Sequence, residues 1–515
     1  MDTQVISTIC SNILPQIHLQ VHKLTVEEHS MKQMLYAANY PQLYSLSLVN
    51  FHEITLHRYL TDDLILRDLL TKQITHLNID IIKPVELCSE IVSNMFALIL
   101  SLCKKLIALN FCDMFPTRQF QSLIFHVILE IFISSTLMKL KINVVSLIDC
   151  LYILDGPFVC LSTLIINIGQ IFHICLRIDP TKKLPQLKCL SFTVQSTTFE
   201  YDELIVPLFC RMINLEELKL YLLVGRLNST YIDGIQLYDQ FLIYMTQLKK
   251  FTFNIKSEVY DMNVEVELQS NEDIQRSFIG RGYQKVASYV NTNVCSRYSE
   301  CHIYSLPYDF EFYVYPQNSF QRGMFHKVRK LKMSDGIPFE HKLFKFIAQE
   351  FPFFKFLYIC NDNRQDDKQD SSTLITFPYL TFLDLEKAHV DYAELFLLEK
   401  NMHLPCLVVK TKTERSTVIS VLQWTLLRHV TQSLDQINDE DTKKNILWKE
   451  MYWLNQYWAQ PVPKSSIAPK YSQRLFITKS LNTRRDLYEY LWDEEARRER
   501  LRFRMKKRKE KFAAT

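Results

Sequence analysis

Glycine is scarce in this chain: there are eight in 515 residues, and none after Gly336. Loops that cradle phosphates need glycine so that the backbone can approach the ligand. Neither G-x-G-x-x-G nor G-x-x-x-x-G-K-[ST] occurs. Gly280-Arg281-Gly282 is a lone pair followed by Tyr283 and reads as a turn. Nucleotide chemistry is therefore disfavoured. The thirteen cysteines contain no C-x-x-C, and an odd number cannot all pair within the chain. Metal frameworks need clustered thiolate or imidazole ligands. Cys103, Cys160, Cys175 and Cys189 sit in apolar runs, so they are expected to be small buried core residues in a reducing compartment. His18 and His22 lie four apart but lack a third ligand and the Glu of H-E-x-x-H, and His52-Glu53 lacks a second His. There is no G-x-S-x-G. The expectation is a protein without metal, cofactor or catalysis; an enzyme with an unrecognised site, assembled from distant residues, stays open as an alternative.

Two targeting features are also lacking. MDTQVISTICSN has no basic segment followed by an apolar one, so no secretory signal is expected, and the sequon Asn228-Ser229-Thr230 is expected to go unused. The longest apolar stretch, 158–178, is interrupted by Ser162, Thr163, Asn167, Gln170, His173 and Arg177. A membrane-crossing helix needs about 20 mostly apolar residues, so this stretch reads instead as a strand over 161–168, a turn at Gly169 and an apolar return. No transmembrane segment is expected. The expected location is the cytoplasm, with the nucleus as the alternative.

What the chain does have is a repeated pattern, apolar-x-x-apolar-x-apolar. It is clearest at Leu43, Leu46, Leu48, at Leu215, Leu218, Leu220, Leu222, and at Leu380, Leu383, Leu385. Looser copies start at Val21, Ile74, Leu106, Leu137, Leu161, Leu187, Leu248, Val328, Phe354 and Leu404. Starts fall 22 to 33 residues apart, save one gap of 80 between Leu248 and Val328. This is the strand half of a leucine-rich repeat, whose period is about 20–29 residues. Alternate residues of a strand share a face, so Leu46 and Leu48, or Leu218, Leu220 and Leu222, turn into a core. The usual Asn or Cys three residues after the third Leu is replaced by Phe51, Leu223 and Ala388. The expected fold is therefore α/β: an irregular leucine-rich-repeat solenoid with parallel strands on the concave side and helices on the convex side, followed by a small α-helical C-terminal region, with an ordinary α/β domain of leucine-rich buried strands as the alternative.

The expected organisation is an N-terminal cap or remnant over 1–20, the repeats over 21–410, and a C-terminal region over 411–515. Residues 256–325 break the pattern and read as an insertion or degenerate repeats, with strand alternation at 264–268 and 310–315. NDNRQDDKQDSS (361–372) reads as a solvated loop, since it lacks the Gly and terminal Glu of a calcium loop. All five tryptophans lie after residue 420. Val418, Leu422, Leu426, Val430 and Leu434, and then Leu447, Met451, Leu454 and Trp458, have helical spacing. Residues 493–515 hold ten Lys/Arg and five Asp/Glu, a net of +5 against +4 for the whole chain. This tail includes Arg497, Arg498, Arg500, Arg502, Arg504, Lys506, Lys507, Arg508 and Lys509. Such charge suits nucleic acid, anionic lipid, an acidic partner or a nuclear-import signal, and equally a solvated helix end.

LYSLSLVNF (43–51), LPQLKCLSF (184–192), NLEELKLYL (214–222), HKVRKLKMS (326–334) and FPYLTFLDL (377–385) give residues 21–407 a resemblance to the substrate-recognition region of F-box/leucine-rich-repeat proteins. The resemblance implies a receptor that holds a protein for a cullin–RING ubiquitin ligase. It also implies an F-box of about 40–50 residues ahead of the repeats, and a repeat starting at Val21 leaves no room for a complete one; Ile13-Leu14-Pro15-Gln16-Ile17 is only a fragment. Protein–protein recognition is thus the expected function, with a nucleic-acid-associated or nuclear scaffold using the basic tail as the alternative. The outward strand residues expected to touch a protein ligand are Tyr44, Ser45 and Ser47, then Glu217, Lys219 and Tyr221, then Thr381, Asp384 and Glu386.

Overall fold

A computed structural model describes residues 3–82, 90–111, 134–156, 158–172, 177–194, 196–227, 229–260, 268–283, 285–291, 299–314, 325–334, 337–365, 375–397, 402–403, 407–411 and 474–477. The chain divides into two compact units, Met1–Pro307 and Tyr308–Thr515. The division falls inside the segment 256–325 that the sequence marks as irregular.

In the first unit, each apolar pattern becomes a strand that begins two residues after its first apolar position. The strands are β1 (Lys23–Glu27), β2 (Ser45–His52), β3 (His76–Ile82), β4 (Ala108–Phe111), β5 (Lys139–Ser146), β6 (Thr163–Gln170), β7 (Cys189–Val194), β8 (Glu217–Leu227) and β9 (Lys250–Tyr260). All pair in parallel with their sequence neighbours. Two more, β10 (Val286–Asn291) and β11 (Ser299–Ser305), close the far side antiparallel, giving the order β1 to β9, then β11, then β10.

A shared register runs through the parallel strands. The carbonyl of the residue just before one strand accepts two N–H groups from the start of the next: Tyr44 from Thr75 and His76, Thr75 from Ile107 and Ala108, Ile107 from Met138 and Lys139, and so on to Glu216 from Lys249 and Lys250. A short turn precedes many of these junctions, as where Leu43, Leu106, Leu187 and Leu248 donate to the carbonyls of Tyr40, Cys103, Leu184 and Met245. Leu46, Leu77, Leu109, Leu140, Leu164, Leu190 and Leu218 are thereby aligned across the sheet and are all buried. They share one core with the helical residues Leu56, Leu60, Phe96, Ile99, Leu147, Cys150, Leu208 and Phe209, so helices cover this face. Residues 3–20 are helical and bury Ile6 and Leu14 while leaving Val5, Ile13, Ile17 and Leu19 exposed.

The second unit carries β12 (Phe312–Val314), β13 (Lys330–Ser334), β14 (Phe356–Asn361), β15 (Ile375–Thr376), β16 (Phe382–Ala388), β17 (Met402–His403), β18 (Leu407–Thr411) and β19 (Arg474–Ile477). Strands β12, β13, β14, β16 and β18 are parallel neighbours, β19 lies antiparallel on β18, and β15 pairs with β17. The helix His341–Glu350 buries Phe344 and Ile347.

This architecture corrects the solenoid expectation. The described residues form a large, mostly parallel eleven-stranded central sheet with helices, an α/β fold. The spacing of leucines specifies a strand with one buried face; it does not specify how strands assemble, and any parallel sheet covered by helices on that face satisfies it. Here β8 and β9 pair along eleven residues, and an antiparallel pair ends the sheet. Two smaller corrections follow. The strand expected over 161–168 runs Thr163–Gln170 and holds Gly169 inside it. Arg474–Ile477 in the expected helical C-terminal region is a strand. The helices expected over 418–434 and 447–458 lie outside the described residues, as do residues 264–267 of the strand expected at 264–268. Gly280 and Gly282 have φ of 76° and 75°, the left-handed turn geometry that glycine permits. No helix among the described residues is long and apolar enough to cross a membrane.

The face assignment is testable on β8. Leu220→Ala should lower unfolding free energy by about 2–5 kcal/mol, as for other buried leucines. Exposed Glu217→Ala on the opposite face should change it by less than about 0.5 kcal/mol. Chemical denaturation of both variants checks this, and equal losses would reverse the assignment.

Candidate functional site

The face of the first sheet turned away from the helices is the candidate site. Register places Ser47, Asn78, Asn110, Lys141, Ile165, Ser191, Lys219 and Thr252 in one row across eight strands. The next row runs Asn143, Asn167, Thr193, Tyr221, Asn254 and Tyr304. Side chains within rows are linked: Asn78 Nδ2 donates to Ser47 Oγ (2.9 Å), and Asn167 Nδ2 to Asn143 Oδ1 (2.7 Å). Asn110 Oδ1 is buried and accepts no hydrogen bond among the described residues.

The expected contact residues divide between the units. Tyr44 lies just before β2, 38% exposed, its ring 6.1 Å from that of His22 and 5.7 Å from that of His76. Ser45 opens β2, and Ser47, expected to face a ligand, is buried and accepts from Asn78 Nδ2. Glu217 and Lys219 lie on β8, where Glu217 is exposed and Lys219 half-buried. Tyr221, expected to face solvent, is instead buried at 3% exposure. Thr381, Asp384 and Glu386 belong to the second unit. Thr381 Oγ1 donates to the Lys355 carbonyl (3.2 Å), and Asp384 Oδ1 accepts from the Glu386 N–H (3.0 Å). The basic tail residues Arg497 to Lys509 lie outside the described residues. His18 and His22 are not brought together on a ligand: His18 contacts the Pro15 carbonyl and His22 that of Gln42.

Burial changes along the face. Ser47 on β2 is buried, and from β3 to β7 the row holding Asn78, Asn110, Lys141 and Ser191 is half-buried. Across β9 and β11 the same face closes over a polar cluster that the sequence pattern did not single out. Lys256 Nζ lies 2.7 Å from Glu300 Oε1 and 3.1 Å from Glu258 Oε1, and Tyr260 donates to Glu258 (3.0 Å). His302 Nε2 lies 2.8 Å from Asn254 Oδ1, with the Tyr304 ring 5.0 Å away. Burial works against a charged Lys256, but Glu300 and Glu258 outweigh it and hold the ammonium above its ordinary value. Burial, reinforced by Lys256, pushes His302 down to about 3, so the imidazole is neutral at physiological pH. The only signal in the sequence was the polar alternation N-x-K-x-E on β9 and E-x-H-x-Y on β11.

Burial pushes Cys103 up to about 12 and raises Cys150 and Cys301 further. Cys103 is buried as expected, Cys189 is half-buried, and Cys160, expected in the core, is exposed. Among the described residues no group of His, Cys, Asp and Glu is arranged to hold a metal ion. No family model matches this chain, and no curated protein matches it in sequence.

Two outcomes follow from the cluster. His302 takes up its proton more readily when unfolded (about 6.5) than when folded (about 3), so the unfolded state binds more protons in that window. Its contribution is present above pH 6.5 and is lost as pH falls toward 3, at about 1.4 kcal/mol per pH unit. His302→Gln should flatten the acid limb of the stability curve by that slope; an unchanged limb would mean the imidazole is solvated. Lys256→Met should destabilise by about 3–5 kcal/mol by leaving two carboxylates without their cation. Adding Glu258→Gln and Glu300→Gln should recover much of the loss in a denaturant titration.

Proposed function

We propose that this protein recognises another protein, without catalysis, on the outward face of its first sheet. The observation that carries the reading is the row Ser47, Asn78, Asn110, Lys141, Ser191, Lys219, presented at fixed spacing by strands in one register. An asparagine amide offers both a carbonyl acceptor and an N–H donor, which matches the two groups of an extended peptide backbone. Lys141 and Lys219 add charge for steering and register. The row needs no core packing of its own, because Leu77, Leu109 and Leu140 alternate with it on the other face.

A finer version of the reading is a substrate receptor for a cullin–RING ubiquitin ligase, as the resemblance of the leucine-patterned segments suggests. Ligase components would then dock apart from the row. The helical residues 3–20, with Val5, Ile13, Ile17 and Leu19 exposed, offer an apolar surface for that contact. A cytoplasmic location goes with this reading.

The test is quantitative affinity capture with the full chain, comparing wild type with Asn110→Arg/Lys141→Glu and with Ile13→Asp/Ile17→Asp. The sheet-face variant should lose the specifically retained protein while keeping its melting temperature; retention by both forms would contradict the reading. The helix variant should lose cullin and adaptor alone. Capture of a sheet-face partner with no ligase component in wild type would remove the finer version and leave the coarser one.

A further inference from the structure

The second unit carries a line of rings that its core does not use. The turns that open β13, β14 and β16 bury Phe325, Phe351, Phe354 and Phe377. Beside these, each turn presents a second ring outward: His326, Phe353 and Tyr379. Ring centroids are 6.0 Å apart from His326 to Phe353 and 5.5 Å from Phe353 to Tyr379, tilted by 48° and 53°. Phe353 is 38% and Tyr379 48% exposed. Each of these two large aromatic side chains leaves a substantial part of its ring surface in water on adjacent turns, where it is open to a ligand.

The line is held rigidly. The Glu311 carbonyl accepts from the N–H groups of Arg329 and Lys330, the Arg329 carbonyl from Lys355 and Phe356, and the Lys355 carbonyl from Thr381 and Phe382. These shared acceptors fix the spacing of the turns. Cations flank the rings. The Arg329 guanidinium lies 5.6 Å from the Phe353 centroid, anchored by bonds from Nη1 to the carbonyls of His326 (2.7 Å) and Val328 (3.1 Å). Lys355 is exposed at the start of the next strand. Residues 325–330 (FHKVRK) hold three Lys/Arg and no Asp/Glu, although Lys327 is paired with Asp309.

We propose that this ladder binds an unpaired polynucleotide strand, with bases stacking on Phe353 and Tyr379 and phosphates meeting Arg329 and Lys355. Stacking rings beside cations suit a chain that alternates π faces with negative charge, and they tolerate any base. A proline-rich peptide would use the rings but leave the cations without a counterpart. The ladder belongs to the second unit and the sheet face to the first, and they share no residue, so the two readings can fail independently.

The test is fluorescence anisotropy with a labelled oligouridine strand and the full chain, basic tail included. Phe353→Ala/Tyr379→Ala should weaken binding at least about tenfold with the salt dependence unchanged, because the rings carry no charge. Arg329→Gln/Lys355→Gln should reduce the slope of log affinity against log salt by about 0.7 for each phosphate left without its cation. Phe353→Trp should retain binding and shows that the turn still folds. Unchanged affinity in the double alanine variant, equal affinity for a duplex, or binding of a proline-rich peptide with none of the oligonucleotide would each overturn the proposal.

Discussion

The structure depends on a carbonyl that serves two donors. At each junction from β1 to β9, the residue before a strand accepts the last N–H of the following turn and the first N–H of the following strand. A carbonyl has two lone pairs, and here both are used. The consequence is geometric as well as energetic. A shift of one residue would turn every leucine out of the core, and a doubly used acceptor penalises that shift at each strand start. The connecting segments therefore vary in length and content while Ser45, His76, Ala108, Lys139, Thr163, Cys189, Glu217 and Lys250 stay aligned.

Register on the core side imposes order on the other. Residues between the leucines have no choice but to form rows, and their chemistry changes along the sheet. Amides and hydroxyls dominate where the face is half-buried; Lys256, Glu258, Glu300 and His302 stand where it closes. Burial of Lys256 and Glu300 is tolerable because Lys256 sits between Glu300 and the half-buried Glu258. The arrangement requires the antiparallel return of β11, which brings Glu300 back across 44 residues to Lys256. The break in the leucine pattern after 256 is thus the place where the sheet changes direction.

Much of the strand layout was legible. Leu46, Leu48, Leu218, Leu220 and Leu222 are buried as their spacing requires, and strands follow the pattern starts from Val21 to Leu380 at a constant offset. Assembly was less legible, because period-two burial is common to every parallel sheet with one covered face; hence the solenoid expectation failed where the wide α/β sheet stands. Tyr221 shows the same limit at one residue. Alternation assigns it to the outward face, but whether that face meets solvent depends on segments far away in sequence. The polar cluster was hidden for the same reason, since its members come from two strands and only their proximity makes them a network. Exposed rings at 353 and 379 sat in turns that already had apolar residues to bury, so their sequence context looked like core.

Amide hydrogen exchange on the native protein tests the account most directly. The paired N–H groups at Ile107 and Ala108, Met138 and Lys139, Ser162 and Thr163, Lys188 and Cys189, and Lys249 and Lys250 share acceptors in a single register. The account predicts that both members of each pair are protected, and that the pairs open together at the free energy of the sheet as a whole. Exchange of one member of each pair at the solvent rate, or independent opening strand by strand, would contradict the shared register on which both the core and the outward rows rest.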